Sequence, residues 1–224
     1  MLGRAAIAMW WDVPPEVRVE WEDWHTHEHM PERLGIPGFL RGTRWVADSG
    51  EPSYCVLYEA RDLKTMTGGA YLDRLNNPTP WSRQMMPHHR NMVRSLCRVR
   101  ATFGGGVAQA AATIRFSPAP RKRGSLLKWL AADIMPLLPG RKGLAAAHLL
   151  ESMSADVPRT AEHQIRGMDA QADCILLVYG YDVEAVRGLV AEGLGELEAQ
   201  GALPGRIEGL YRCAYSLTAK ELRA

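Results

Sequence analysis

The stretch WEDWHTHEHMPERLGIPGF, residues 21–39, carries the strongest structural and chemical signal in this chain of 224 residues. It holds three of the seven histidines and two of the seven tryptophans. On a helical wheel, Glu28 lies inside the face formed by the apolar residues Trp21 and Trp24. Because a carboxylate on an apolar face must be neutralised, paired or hydrated, this helix predicts a polar site rather than a simple packing surface.

The histidines of this stretch fall on two faces of the predicted helix. His25 and His29 are four residues apart and Glu28 lies between them, so the three side chains can converge. His29 is the predicted general base or acid, and Glu28 and His25 are predicted to tune and orient it. His27 is predicted to be solvated, and Pro31 is predicted to end the helix. The alternative is a satisfied polar cluster between helix and sheet that carries no chemistry.

The same residues, His25-Thr-His-Glu28-His29, match H-x-x-E-H, the zinc signature of one class of metalloproteases. The match uses common polar residue types, and Pro31 follows it almost at once. The order of strands and helices described next is also not that of a metalloprotease. No metal is therefore predicted, and stoichiometric zinc in the purified protein would reverse this interpretation.

Outward from this helix, strand and helix patterns alternate along the first half of the chain. Strands are predicted at 5–12, 39–48, 54–60 and 94–103, and helices at 15–30 and 62–75. Asp62 is the predicted N-cap of the second helix. The order is β-α-β-β-α-β, which is the ferredoxin-like arrangement.

The same order recurs after Gly104-Gly-Gly106. Strands are predicted at 110–117, 143–153, 174–181 and 206–217, helices at 122–138 and 183–200, and a polar loop at about 154–172. The predicted fold class is therefore α+β: tandem ferredoxin-like β-α-β-β-α-β repeats, residues 1–105 and 106–224, packed sheet to sheet as a pseudo-dimeric α+β barrel.

The two predicted repeats differ at the candidate site. Ile134 stands where the first repeat has His29, and Asp133 stands where it has Glu28. The second repeat lacks the histidine cluster altogether. We therefore expect the first repeat to carry the site and the second to be degenerate.

Several side chains outside the first helix are candidates for binding a substrate. Trp24, Tyr58 and Trp81 are expected to shape an apolar pocket. Residues 76–93 form a long connection, and long connections often carry functional residues. We therefore expect this connection to border the pocket, with His88 or its neighbour His89 at the rim.

Arg41 and Arg44 belong to the second predicted strand. Strand alternation puts them on opposite faces, one of them in solvent. Arg44 is the candidate that would offer a cation to an anionic substrate.

Composition and charge exclude several classes of protein. The net charge is +2 and no basic stripe with aromatic residues is present, so we expect no nucleic-acid partner. The apolar start is too short for a signal peptide, and no run reaches the ~18 apolar residues of a membrane span. The cysteines Cys55, Cys97, Cys174 and Cys213 lie far apart in strand-like runs, which favours free thiols and a cytoplasmic location.

Two segments, Trp24-His-Thr-His-Glu-His-Met-Pro-Glu-Arg33 and Pro37-Gly-Phe-Leu-Arg-Gly-Thr-Arg-Trp45, resemble a known pattern. They are similar to the "EH-x-P … PGF … R" pattern of EthD-like proteins in the dimeric α+β barrel superfamily. The resemblance covers about 25 residues. Members usually have one ferredoxin-like unit and dimerise, so this chain would carry both units.

The resemblance implies a cavity between sheet and helix for a small apolar or aromatic molecule, with His29 and Glu28 at its wall. Its members include cofactor-free monooxygenases, cyclases, isomerases and decarboxylases. We therefore expect a cofactor-independent enzyme of catabolism or secondary metabolism that uses acid and base chemistry. A non-catalytic ligand-binding or stress-response barrel is the alternative, and a homo-oligomer is compatible with either.

Haem-binding barrels of the chlorite-dismutase kind are a further alternative that the resemblance brings. Their haem histidine lies in the second unit, and here that half offers only His148 and His163.

Overall fold

A computed structural model describes residues 1–153, 160–166, 169–192 and 196–223. Within these residues, the strands are β1 (Ala5–Asp12), β2 (Phe39–Ala47), β3 (Tyr54–Ala60), β4 (Arg90–Gly104), β5 (Ala110–Phe116), β6 (Leu144–Ser152), β7 (Cys174–Gly180) and β8 (Ile207–Thr218). The α-helices are α1 (Arg18–Trp24), α2 (Met30–Leu34), α3 (Gly69–Asn76), α4 (Pro80–Met85), α5 (Arg123–Trp129), α6 (Ala161–Arg166) and α7 (Val183–Glu192).

All strand pairs are antiparallel, and the strands close into a barrel in the order β1-β3-β2-β8-β5-β7-β6-β4. Each half contributes four neighbouring strands in the ferredoxin-like order, β4-β1-β3-β2 and β8-β5-β7-β6. The two four-stranded sheets join along both edges, through the pairs β2–β8 and β4–β6. This closed α+β barrel confirms the predicted fold class, and among the described strands it leaves no unpaired sheet edge.

The strands other than β4 and β8 are buried on both faces because the barrel has an inside and a helix-covered outside. In β1, Ala6, Ala8 and Trp10 belong to a core shared by both halves, which fills the barrel. The alternate residues Ile7 and Trp11 belong to a second core, beneath the helices of the first half. Continuous apolar strands such as AAIAMWWD follow from this double burial.

The predicted helices of the first half differ from the observed ones in two places. The first helix continues past Pro31 to Leu34, for the reason given below. The predicted helix 62–75 is divided at Gly68 into a 3-10 turn, Leu63–Met66, and α3. Asp62 does cap this turn, since its carboxylate accepts a hydrogen bond from the Thr65 amide.

The connection 76–93 contains a short helix, α4, that was not predicted. The Thr79 side chain accepts a hydrogen bond from the Ser82 amide, and Pro80 occupies the first helical turn. Both are sequence signals for a helix start. They were outweighed by the high content of proline and asparagine in the segment.

In the second half, the predicted helix 183–200 ends earlier, at Glu192. Residues 193–195 of that prediction lie outside the described part of the chain, and residues 196–200 form turns. The predicted polar loop, 154–172, lies partly outside it as well, at 154–159 and 167–168. Its described part contains α6, which was not predicted.

The four cysteines are free thiols, as predicted, and three of them are buried. None of the helices in the described ranges is long and apolar enough to cross a membrane.

Candidate functional site

The histidine stretch forms a π turn, His25–His29, between α1 and α2. The Met30 amide donates to the His25 carbonyl, five residues back. A proline inside an α-helix clashes with the carbonyl four residues before it, and a widened turn relieves this clash. Pro31 therefore does not end the helix, because the turn before it absorbs the misfit.

The π turn also decides which of the predicted site residues meet. The His25 and His29 rings lie side by side, with centroids 5.6 Å apart. Glu28 turns away from both because the wider turn rotates it further from the face of His25 than an α-helix would. The exposed His27 pairs with Asp23 at 2.9 Å, so its predicted solvated position is correct.

His25 is the centre of the cluster and is only 1% exposed. Its ring stacks on Trp21 at 4.9 Å. Arg44 Nη1 lies 3.4 Å from His25 Nδ1, and the Tyr58 hydroxyl lies 3.3 Å from Nε2. Because a guanidinium can only donate, Nδ1 accepts and the ring proton resides on Nε2, which donates to the Tyr58 oxygen.

Burial lowers the pKa of His25 well below its usual value, and the charges of Arg44, His89 and Arg33 lower it further. His25 is therefore neutral at physiological pH. Burial also raises the pKa of the Tyr58 phenol, so that this hydroxyl stays protonated. The pair can orient a neighbouring group but does not itself carry a charge.

His29 stands beside His25 in a more open position. It is half-buried, and its ring packs against Trp24 at 4.5 Å. Arg33 Nε donates to His29 Nε2 over a long distance, 3.5 Å. The Nε2 atom of His29 therefore acts as an acceptor, and it faces the Arg33 guanidinium.

Glu28 belongs to a separate network under α4. Its Oε1 accepts hydrogen bonds from Trp24 Nε1 at 3.1 Å, from Ser82 Oγ at 3.3 Å and from Thr79 Oγ1. These partners satisfy the carboxylate that sequence reasoning had singled out as costly to bury. The described hydrogen bonds of Glu28 thus lie in this network, and none of them joins it to His25.

The polar loop at about 154–172 is an insertion in the second half relative to the first. This insertion supplies a partner to the site. Glu162, on α6, pairs with Arg33 Nη2, and both side chains are at least 97% buried. Arg33 Nη1 is buried and has no acceptor among the described residues. Neither Arg33 nor Glu162 was predicted, because the pair joins residues 129 positions apart.

The predicted binding residues Trp81 and His88 are both half-buried. Trp81 packs against the core beneath the first-half helices. The ring that reaches the cluster is His89, whose Nε2 accepts from Trp21 Nε1 at 2.9 Å and whose ring lies 4.9 Å from Trp11. The predicted role of His88 or His89 at the rim of a pocket stays a prediction.

Arg41 and Arg44 do lie on opposite faces of β2, but the prediction that one meets solvent is wrong. Arg41 faces the barrel interior, where it pairs with Glu59. Arg44 faces the helices and is 6% exposed. Both faces of β2 are covered, since the second half closes the barrel on one side and α1 and α2 cover the other.

Arg44 borders an open cleft of about 640 Å³. The cleft is lined by Glu16, Val19, Glu20, Glu22, Asp23, Thr26, His27 and Arg44. Arg44 Nη1 already donates to the Glu22 carbonyl and to Thr26 Oγ1, each at 3.0 Å. The acidic lining and these hydrogen bonds disfavour binding of an anion at Arg44 from this side.

The zinc and haem alternatives can be compared with the geometry. No group of three His, Cys, Asp or Glu side chains within the described ranges is arranged to hold a metal ion. His148 is fully buried inside the barrel, edge-on to Tyr179 at 5.0 Å, and Thr102 lies 3.3 Å from its Nδ1. Burial lowers the pKa of His148 to about 3. An iron ligand needs open space for a porphyrin, so His148 does not fit that role.

The described residues form a closed eight-stranded α+β barrel with a polar cluster between the sheet and the helices of the first half. Solved structures share this fold. An anthrone oxidase-like protein is 14% identical, with 96% of this chain and 92% of that chain covered and a TM-score of 0.65.

Two proposed monooxygenases are also similar to this chain. The one from Lactobacillus acidophilus is 10% identical, with 97% of each chain covered and a TM-score of 0.62. The one from Fusobacterium nucleatum is 9% identical, with 97% of this chain and 96% of that chain covered and a TM-score of 0.60. No family model and no curated protein matches the sequence. The likeness therefore shows the fold, and the EthD-like assignment stays a prediction.

Proposed function

We propose that this chain is an EthD-like, cofactor-independent enzyme that moves a proton on a small aromatic carbonyl compound bound beside His29. The observation that carries the proposal is the position of His29 Nε2 next to the buried Arg33 guanidinium. A base and a hydrogen-bond donor at one place are what the formation of an enolate requires. The resemblance of residues 24–45 to EthD-like proteins supports the same site.

In the proposed step, His29 Nε2 accepts a proton from a carbon next to the carbonyl group. Arg33 Nη1, which lacks an acceptor among the described residues, donates to the oxygen that gains negative charge. The neutral His25, held between Arg44 and Tyr58, supports the neighbouring face without adding a charge of its own. Trp24 forms an apolar wall against the His29 ring.

The names of the similar structures favour oxidation of the resulting carbanion. An anthrone is a suitable probe because its CH2 group lies between two rings and opposite a carbonyl. Loss of one proton gives an anion that reacts with O2 to form a hydroperoxide, and loss of water then gives the quinone. The balance is anthrone plus O2 to anthraquinone plus water, with no added reductant.

The test uses anthrone in air with the purified chain. We expect faster hydrogen–deuterium exchange of its CH2 group, uptake of O2 and formation of anthraquinone. His29→Ala should slow exchange by about 10²–10⁴-fold while the melting temperature stays close to that of the wild type. Ile134→Ala, at the corresponding place in the second half, is the matched control and should leave the rate unchanged.

The other outcomes separate the alternatives. Binding of anthrone, followed by quenching of tryptophan fluorescence, without exchange or O2 uptake would favour a non-catalytic binding or stress-response barrel. Full activity in His29→Ala would contradict the assignment of the base. A Soret band in the purified protein would move the haem alternative to His163, since His148 does not fit.

We further propose that residues 1–105 and 106–224 are copies of one unit, of which the first carries the site. The same strand order in both halves and the π turn before Met-Pro in each support this proposal. Because one chain closes the barrel, a homo-oligomer would use other surfaces. The four free thiols support a location in the reducing cytoplasm.

A further inference from the structure

One buried cation of the barrel interior is not part of the site described above. Arg115, on β5, is 8% exposed and lies on the same strand face as Ala111, which belongs to the core inside the barrel. Its guanidinium stacks over the ring of Trp10 at 4.7 Å. Its Nε is buried with no acceptor, and in the described ranges the Arg115 side chain forms neither a hydrogen bond nor an ion pair.

The other buried arginines of the described residues have partners for their guanidinium groups. Arg33 pairs with Glu162, and Arg41 pairs with Glu59. Arg44 donates to a backbone carbonyl and a hydroxyl. An unpaired buried charge is costly, so each of these three follows the usual rule and Arg115 does not.

Among the described residues, no carboxylate acts as a counter-ion to the Arg115 guanidinium. The nearest titratable groups that act on Arg115 are the Tyr211 phenol and the Cys55 thiol, and burial raises the pKa of both, that of Cys55 to about 12. Both groups are therefore neutral at physiological pH. Burial lowers the pKa of Arg115, but a guanidinium remains charged under these conditions.

A cavity of about 190 Å³ opens onto Arg115 at this end of the barrel. Its wall is mixed: Val93, Phe116, Ala172 and Ile207 supply apolar surface, and polar residues including Ser117 and Gln171 also line it. Part of the insertion covers it: Ala170 pairs with Val93, and the Ala172 amide donates to Ser95 Oγ at 2.9 Å. The exposed Asp173 also lines the cavity, without pairing with Arg115.

We propose that this cavity binds a small carboxylate with an apolar body, whose carboxylate group pairs with Arg115. The planar guanidinium has one face on Trp10, so its N–H edge is what remains for an oxyanion, and a carboxylate matches that edge with two parallel hydrogen bonds. The apolar part of the wall accommodates a short branched chain or a single ring. This site is independent of the proposed function at His29.

The experiment is calorimetric titration of the purified chain with benzoate, acetate and inorganic phosphate at constant ionic strength. Benzoate should bind saturably and at least about tenfold more tightly than acetate, since only benzoate fills the apolar part of the cavity. Arg115→Met should weaken benzoate binding by at least about tenfold. Arg98→Met, which removes an exposed arginine of β4, is the matched control and should bind like the wild type.

Stability separates a binding role from a structural one. Without ligand, Arg115→Met should melt at the same temperature as the wild type or higher, because it removes an unpaired buried charge. Arg115→Lys keeps the charge without the planar edge and should bind benzoate with intermediate affinity. Equal benzoate binding by Arg115→Met and wild type, or no binding of any anion by the wild type, would overturn the proposal. Binding of phosphate in preference to benzoate would overturn the assignment of a carboxylate with an apolar body.

Discussion

Two π turns occupy corresponding places in the two halves of the barrel, and they differ in almost every side chain. The first, His25–His29, reads HTHEH, and the second, Leu130–Ile134, reads LAADI. In each turn the first residue is the buried one, His25 or Leu130. Each turn is followed by Met-Pro, so a proline at that point explains the widened turn in both halves.

The surroundings of the two turns differ in the same way. His25 meets Trp21, Arg44 and Tyr58. Counting along the same elements, the corresponding residues of the second half are Leu126, Leu149 and Val178, and all of them belong to its apolar core. The π turn is therefore common to both halves, and only the first half places polar side chains around it. A π turn alone is not evidence of a functional site here.

The largest change in stability is expected at Glu162, a residue of the second half that pairs with Arg33 in the site of the first half. Arg33 corresponds to the buried Leu138, which has no charge to compensate. Glu162→Ala should lower the free energy of unfolding by about 3–5 kcal/mol, because it leaves Arg33 buried without its partner. Urea unfolding monitored by circular dichroism measures this change.

The double variant Arg33→Leu/Glu162→Leu should recover most of the lost stability, since it makes this place resemble the second half. Arg141→Ala, which removes one partner of the exposed pair Arg141–Glu192, is the control and should change stability by less than about 1 kcal/mol. An equal loss of unfolding free energy in Glu162→Ala and Arg141→Ala would mean that the buried pair does not stabilise the fold more than an exposed pair.

An intermediate effect is expected from exchanging the first residue of the π turn, His25→Leu. The folded protein keeps His25 neutral well below its usual pKa, whereas the unfolded chain takes up a proton near pH 6.5. The unfolded state thus binds more protons, and stability falls as the pH falls, by about 1.4 kcal/mol per pH unit below pH 6.5. His25→Leu should lose this dependence and retain about 2 kcal/mol more of its pH 7 stability at pH 5.

Unfolding free energies at pH 7, 6 and 5 for both proteins provide the measurement. His148, also buried and neutral, is present in both and cancels in the difference. If the unfolding free energies of wild type and His25→Leu changed with pH in parallel, the pKa of His25 would be the same in the folded and the unfolded state.

The smallest change in stability is expected from Tyr58→Phe, which makes this position apolar like the corresponding Val178 of the second half. The change removes the hydroxyl that receives the His25 Nε2 proton and should cost about 1 kcal/mol. Nitrogen NMR of the His25 ring should show a shift at Nε2 and little change at Nδ1, which keeps its contact with Arg44. Identical spectra for Tyr58→Phe and wild type would remove Tyr58 from the cluster.

Sequence patterns predicted most of the barrel, because its elements follow from local rules. Strand alternation, turn residues and the N-cap at Asp62 are each decided within a few residues. The errors came where a local rule has an exception. A proline such as Pro31 usually ends a helix, but here a π turn lets the helix continue. The helix start at Thr79 lies in a segment rich in proline, a composition that favours loops.

The candidate site was predicted less completely than the fold. His25, His29, Arg44 and Tyr58 do come together, and they share a strand or helix face that periodicity can reveal. The place of Glu28 could not be predicted in this way, because its direction depends on the width of one helical turn.

The sequence by itself determined which half carries polar groups beneath its helices, since His25-Thr-His-Glu-His29 and Leu130-Ala-Ala-Asp-Ile134 differ in composition alone. Only the tertiary structure decided the partners of those groups and of the other buried charges. Glu162 reaches Arg33, and Arg115 is enclosed beside Trp10, only after the barrel has closed. The physical reason is that burial and pairing of charges depend on segments that are distant in the chain, whereas strand and helix preferences act between near neighbours.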